Sequence, residues 1–161
     1  MHTKIVLLLT ITMFWSCSRQ QAAKTSTPQK LDPIKIEVNF NPDKSAEFVI
    51  TNQSNSLIKI FEHYKLAIEK QDGDNWIPLR ILHCPCGAPC ARPAEFIVLQ
   101  QGENLNKKWN LDESWCGDTT NTSIPETITK PAQPGIYRIG VLYGISNREI
   151  NTFYNEFTLK Q

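Results

Sequence analysis

The chain has 161 residues, 40% of them hydrophobic, and carries 17 Lys and Arg against 16 Asp and Glu for a net charge of +1. No basic stripe or Lys/Arg-rich run is present, so nucleic acid is not an expected partner. The length bounds the chain to one domain of ordinary size, without an internal repeat or a second linker.

The first segment, MHTKIVLLLTITMFWSC, places one cation, Lys4, before an apolar run from Ile5 to Trp15 that only Thr10 and Thr12 interrupt. Such a run is too short to span a bilayer and has the length of a secretory signal core. Residues 1–16 are therefore read as a cleaved signal peptide. Their removal takes away Lys4 and no acid, leaving 16 basic and 16 acidic groups. The stretch FWSC, with Ser16 directly before Cys17, resembles the lipobox of bacterial lipoproteins, although Phe14 and Trp15 stand where Leu and a small residue are usual. That resemblance implies lipidation of Cys17, which would become the new N-terminus and join the protein to a membrane. Two or three acyl chains, at about 0.8 kcal/mol per buried methylene, suffice for stable anchoring. SRQQAAKTSTPQK (18–30) is polar and lacks aromatics, so 17–32 reads as the lipidated Cys and a flexible tether. The SRQQ after Cys17 lacks the acidic run that resembles surface-export signals, which favours a periplasm-facing position in the cell envelope.

The folded domain is expected over 33–161. PIKIEVNF (33–40) alternates Ile34, Ile36, Val38 and Phe40 with Lys35, Glu37 and Asn39, the period of a half-buried strand. AEFVITN (46–52) and LIKIFE (57–62) follow the turns NPDKS and NSN. In 65–82 the sequence Asp72-Gly73-Asp74 between two β-rich runs signals a hairpin. After the cysteine stretch, EFIVLQ (95–100) and LNKKWNL (105–111) read as a strand pair joined by QGEN, and 112–134 as a polar loop. IYRIGVLYGI (136–145) places Tyr137, Ile139, Val141 and Tyr143 on one face, and INTFYNEFTLK (150–160) closes the chain. About eight short strands without an amphipathic helix predict an all-β antiparallel sandwich. Its core holds the inward residues named above, with Trp76, Trp109 and the tyrosines in packing roles.

Asn52-x-Ser54, the Asp-Gly hairpin, the Leu99, Gly102, Trp109 segment and Pro134-Gly135-x-Tyr137 together resemble immunoglobulin-like bacterial domains, including those related to the intracellular proteinase inhibitor BsuPI. The resemblance spans roughly 34–160. Gly135-x-Tyr137 also resembles the tyrosine corner of Greek-key sandwiches, with Gln133 where an Asp is frequent.

HCPCGAPCARP (83–93) concentrates His83, Cys84, Cys86 and Cys90, and Cys116 completes an even set once Cys17 is given to lipid. In an exported protein this set is expected to form disulfides. A bond between Cys84 and Cys86 would close a small strained ring, so Cys116 is expected to pair with Cys84 or Cys86, and Cys90 with the other. The alternative is a copper or zinc site built from His83, Cys84, Cys86, Cys90 and Cys116, although the C-x-C-x3-C spacing lacks the usual zinc knuckle. Thiol redox chemistry would need C-x-x-C beside a helix, which is absent. A further alternative is protease inhibition by a braced loop, in which His83, Arg92 and Pro93 form a binding segment: Arg92 suits a basic-specific pocket, and Pro93 hinders cleavage of the bond before it.

No nucleophile–base pair, H-E-x-x-H or phosphate-cradling glycine loop is evident, and no cofactor is expected. His63 and His83 are expected in unrelated surroundings, and Asp112, Glu113 and Asp118 on a solvated loop. The expected function is non-catalytic: a lipid-anchored envelope binding or accessory module whose partner is an unnamed protein or small ligand.

Overall fold

The structure, a computed structural model, describes residues 32–91, 93–118 and 124–160. The signal peptide, Cys17, nearly all of the tether and Arg92 lie outside the described residues. Eleven strands are present and no helix among the described residues: β1 (Ile34–Asn41), β2 (Ser45–Asn52), β3 (Ile58–Phe61), β4 (Ala67–Asp72), β5 (Asn75–Pro78), β6 (Phe96–Leu99), β7 (Asn104–Trp109), β8 (Asp112–Cys116), β9 (Thr127–Pro131), β10 (Gly135–Ser146) and β11 (Glu149–Leu159).

All pairings are antiparallel. One sheet has the order β1-β2-β7; the second is organised about β10, and β8-β9 form a small separate hairpin. Along one edge β10 pairs with β11, with Tyr137 opposite Phe157. Along its other edge it pairs first with β4, Tyr137 opposite Lys70, and then with β3, Tyr143 opposite Ile60. The strands β3 and β4 thus behave as one strand interrupted by an outward loop at residues 62–66. Outside them lie β6, paired with β3, and β5, paired with β4.

The alternation read from the sequence places the core between the two sheets. Ile34, Ile36, Phe48, Ile50 and Trp109 of the first meet Ile58, Ile60, Ile68, Tyr137, Ile139 and Val141 of the second. Each fully buried large apolar side chain contributes about 1.5–3 kcal/mol relative to exposure. Aromatic contacts join the layers: the Phe48 and Phe157 rings lie 5.4 Å apart, and those of Trp109 and Tyr137 5.5 Å. The Tyr137 hydroxyl donates to the backbone carbonyl of Gln133. The corner therefore forms with Gln in place of Asp, because the acceptor is backbone. Burial, and secondarily the Glu113 charge, push the Tyr137 hydroxyl pKa up, which keeps it a donor.

Four expectations change. Phe40, expected inside, is 48% exposed, because it lies near the end of β1, opposite Ala46, where its ring meets that of Phe157 at 6.2 Å but stays half open. The strands on either side of QGEN do not pair with each other: β6 joins β3 and β7 joins β2, so this turn carries the chain from one sheet to the other. The expected loop 112–134 contains the β8-β9 hairpin, whose ladder runs from Asp112 opposite Pro131 to Cys116 opposite Thr127. Trp76 is only partly buried and packs on the outer side of its sheet, under the Arg138 guanidinium at 4.4 Å. The Asp-Gly hairpin does form, with Gly73 at φ 58 as the first residue of a two-residue turn, a conformation that favours glycine.

The sheet-to-sheet crossing is held by one buried polar side chain. The Asn52 carboxamide donates to the carbonyls of Leu99 (3.0 Å) and Ser56 (2.8 Å), and its oxygen accepts from the Ser54 N–H (2.9 Å) and hydroxyl (2.7 Å). The Asn52 backbone carbonyl accepts from Gly102 N–H at 2.7 Å, where the chain takes φ 79. The Asn-x-Ser and Leu-x-x-Gly motifs therefore form one corner. Asn52→Ala leaves the Leu99 carbonyl without this donor, and is expected to cost about 1–3 kcal/mol. Urea unfolding would read it; an unchanged midpoint would show that the corner is held otherwise.

Candidate functional site

The cysteine stretch leaves β5 along β8. After Leu79 N–H donates to Ile68 (2.8 Å), the Arg80 carbonyl accepts from Ser114 N–H (2.7 Å), and Leu82 N–H donates to the Ser114 hydroxyl (2.9 Å). The Arg80 guanidinium lies 3.7 Å from the centre of the Trp115 ring and 3.7 Å from a Glu113 carboxylate oxygen. Segment 80–82 and the β8-β9 hairpin are thus zipped together before the first cysteine is reached.

Two disulfides follow. Cys84 bonds to Cys90 with their Cα atoms 6.5 Å apart, and Cys86 to Cys116 at 5.6 Å. Of the two pairings the sequence left open, the one joining Cys116 to Cys86 forms, because β8 brings Cys116 level with the buried Cys86. Between them, residues 85–88 turn, with Ala88 N–H donating to the Pro85 carbonyl at 3.2 Å and Gly87 at φ 71. A Cβ on Gly87 would stand 2.5 Å from Ile124 Cγ2, so this position requires glycine both for conformation and for space. Residues 87–91 are exposed, and Pro93 is partly buried.

This arrangement is a brace. These four sulfurs stand in disulfides, so the ligand set His83, Cys84, Cys86, Cys90 and Cys116 is not assembled among the described residues. Of the loop residues expected to bind, His83 is exposed, with its ring 5.4 Å from that of Tyr64. The ring of His63 lies 5.9 Å from that of the same tyrosine, so the two histidines share a neighbourhood that sequence spacing did not foretell. Asp112 and Glu113 lie on strand β8, partly buried, and Asp118 is exposed.

Beside His63, the loop between β3 and β4 borders a small cleft of about 40 Å³ lined also by Glu62, Lys65 and Lys107. The His63 Nδ1 atom is buried without a hydrogen-bond partner among the described residues. Lys107 Nζ donates to the Lys65 carbonyl at 2.9 Å, and burial lowers its pKa from 10.5 to about 8. The fold disfavours the charged amine, so this group opposes folding at neutral pH, and the penalty is relieved as pH rises from about 8 towards 10.5. Lys107→Met is therefore expected to be the more stable protein at pH 7, with the gap to wild type narrowing through that window. A gap independent of pH in urea titrations would contradict this.

No protein-family model matches the chain, and no curated protein or solved structure is significantly similar to it.

Proposed function

We propose that the protein is a lipid-anchored lipoprotein of a bacterial cell envelope that acts as a non-catalytic binding or accessory module, with an immunoglobulin-like domain presented by the tether at 17–32. The observation that carries this reading is the pair of disulfides, which use every cysteine of the domain and suit a compartment outside the reducing cytosol. Cys17 is then left for acylation behind a signal-like run. The crosslinked segment 87–91 supplies a stiff, exposed surface, and stiffness lowers the ordering cost of binding a partner. The resemblance to BsuPI-related domains makes an envelope protease one partner class for this loop, with Arg92 and Pro93 at its end.

Labelling with radioactive palmitate of cells making wild type and Cys17→Ser tests the anchor. Label is expected on wild type and is expected to be absent from the variant. Label absent from both, or equal on the two, would overturn the lipid-anchored reading.

A further inference from the structure

Among the described residues, one end of the sandwich is left open. The ends of β1, β7 and β11 and the starts of β2 and β10 meet there, as the pairs Asn41–Ser45, Ala46–Trp109 and Gly135–Leu159 fix. Between them lies a groove of about 980 Å³, walled by Phe40, Leu111, Pro131, Ala132, Pro134 and Leu159. Small-molecule sites usually occupy about 300–1,000 Å³. We propose that this groove binds an amphiphile consisting of one long acyl chain and an anionic head group.

The wall argues for an acyl chain over a peptide. Pro131 and Pro134 have no N–H, and the Ala132 N–H is already donated to Leu111 at 2.8 Å. An extended peptide laid on this wall would find few backbone donors for its carbonyls, whereas a hydrocarbon chain requires none. Phe40 supports the same conclusion. It is half-exposed on the strand whose Ile34 and Ile36 are buried, and its ring would be covered by a chain in the groove.

The rim selects the head group. Lys44 and Lys160 both line the groove, and neither lies within ion-pair distance of a carboxylate among the described residues. Lys44 is held in place by its backbone: it adopts φ 58 in a turn where the Asp43 carboxylate accepts from both the N–H (3.1 Å) and the hydroxyl (2.5 Å) of Ser45. Among the described residues Asp112 is the single acid in the lining, so these residues leave the rim one net positive charge. An anionic head is favoured there over a cationic one. The site does not depend on whether Cys17 is acylated.

Calorimetric titration of the full chain with dodecanoate, and with dodecyltrimethylammonium as a chain-matched cation, both below their micellar concentrations, tests the proposal. Dodecanoate is expected to bind with 1:1 stoichiometry and at least about tenfold more tightly than the cation. Lys44→Glu/Lys160→Glu is expected to reverse that preference while keeping the wild-type melting temperature, a result that misfolding does not produce. Ala132→Trp, which narrows the groove, should weaken both. Absence of dodecanoate binding, unchanged binding by the Ala132→Trp protein, equal affinity for the cation, or a preference untouched by the double charge reversal would each overturn the assignment.

Discussion

Replacing Trp109 by Ala is expected to lower the unfolding free energy by about 3–5 kcal/mol. The indole is 1% exposed and stands at the junction of the two layers, 5.5 Å from the Tyr137 ring and 6.2 Å from that of Phe157. Phe157 in turn lies 5.9 Å from Tyr137 and 5.4 Å from Phe48, so one ring's removal opens a cavity facing aromatic side chains from both sheets. The Trp109 Nε1–H also donates to the Asp112 carbonyl at 2.8 Å, across a tight reversal in which Leu111 adopts φ 57. The substitution thus loosens the entry to β8 as well as the core. Trp109→Phe restores part of the volume but not the donor, and should fall between. Urea unfolding measures both; a loss below about 1 kcal/mol for the alanine variant would mean that the layers repack without this ring.

The second large effect belongs to the long disulfide. Removing Cys86–Cys116 as the double alanine variant is expected to cost about 3–4 kcal/mol, because the bond spans a sequence separation of 30 residues. Removing Cys84–Cys90, with a separation of 6, should cost about 2 kcal/mol. The effects should also differ in place. Among the described residues, the β8-β9 hairpin pairs with no strand of either large sheet, and it is tied to the body through segment 80–82 and Cys86. Amide exchange in residues 112–116 and 127–131 should therefore quicken in the Cys86→Ala/Cys116→Ala protein and stay slow in the Cys84→Ala/Cys90→Ala protein. Equal losses of stability with unchanged exchange in the hairpin would contradict this ordering.

Much of the architecture was legible in the chain because burial on one face imposes a period. Ile34 and Ile36, and Tyr137, Ile139 and Val141, alternate with polar or small neighbours and are buried as that alternation requires. Strand partners were less legible. EFIVLQ and LNKKWNL are close in sequence and separated by a turn, yet they lie in different sheets, because the buried Asn52 captures Leu99 and the Gly102 turn and redirects the chain. The β8-β9 hairpin was hidden for another reason. Its ladder is only five residues long and its β9 residues are all exposed, so no hydrophobic period marks it. Thr127, Ile128 and Thr129 are β-branched, and this was the available signal.

In the cysteine stretch, residue chemistry and the expectation of export together point to disulfides, but spacing leaves two pairings open. The choice depends on β8 carrying Cys116 to the level of Cys86, a tertiary fact with no trace in the local sequence. The meeting of His63 and His83 on Tyr64 is of the same kind. So is the open groove, whose walls come from five separate segments of the chain.

The central proposal, that the cysteine cluster is a structural brace in a protein we propose to be exported and acylated, is tested most directly by intact mass of protein extracted from the envelope. Thiols would be alkylated before and after reduction. The expected result is no alkylation before reduction, four alkylated cysteines at 84, 86, 90 and 116 after it, and acyl mass on Cys17. Four thiols alkylated without reduction, in protein that carries copper or zinc, would contradict the account.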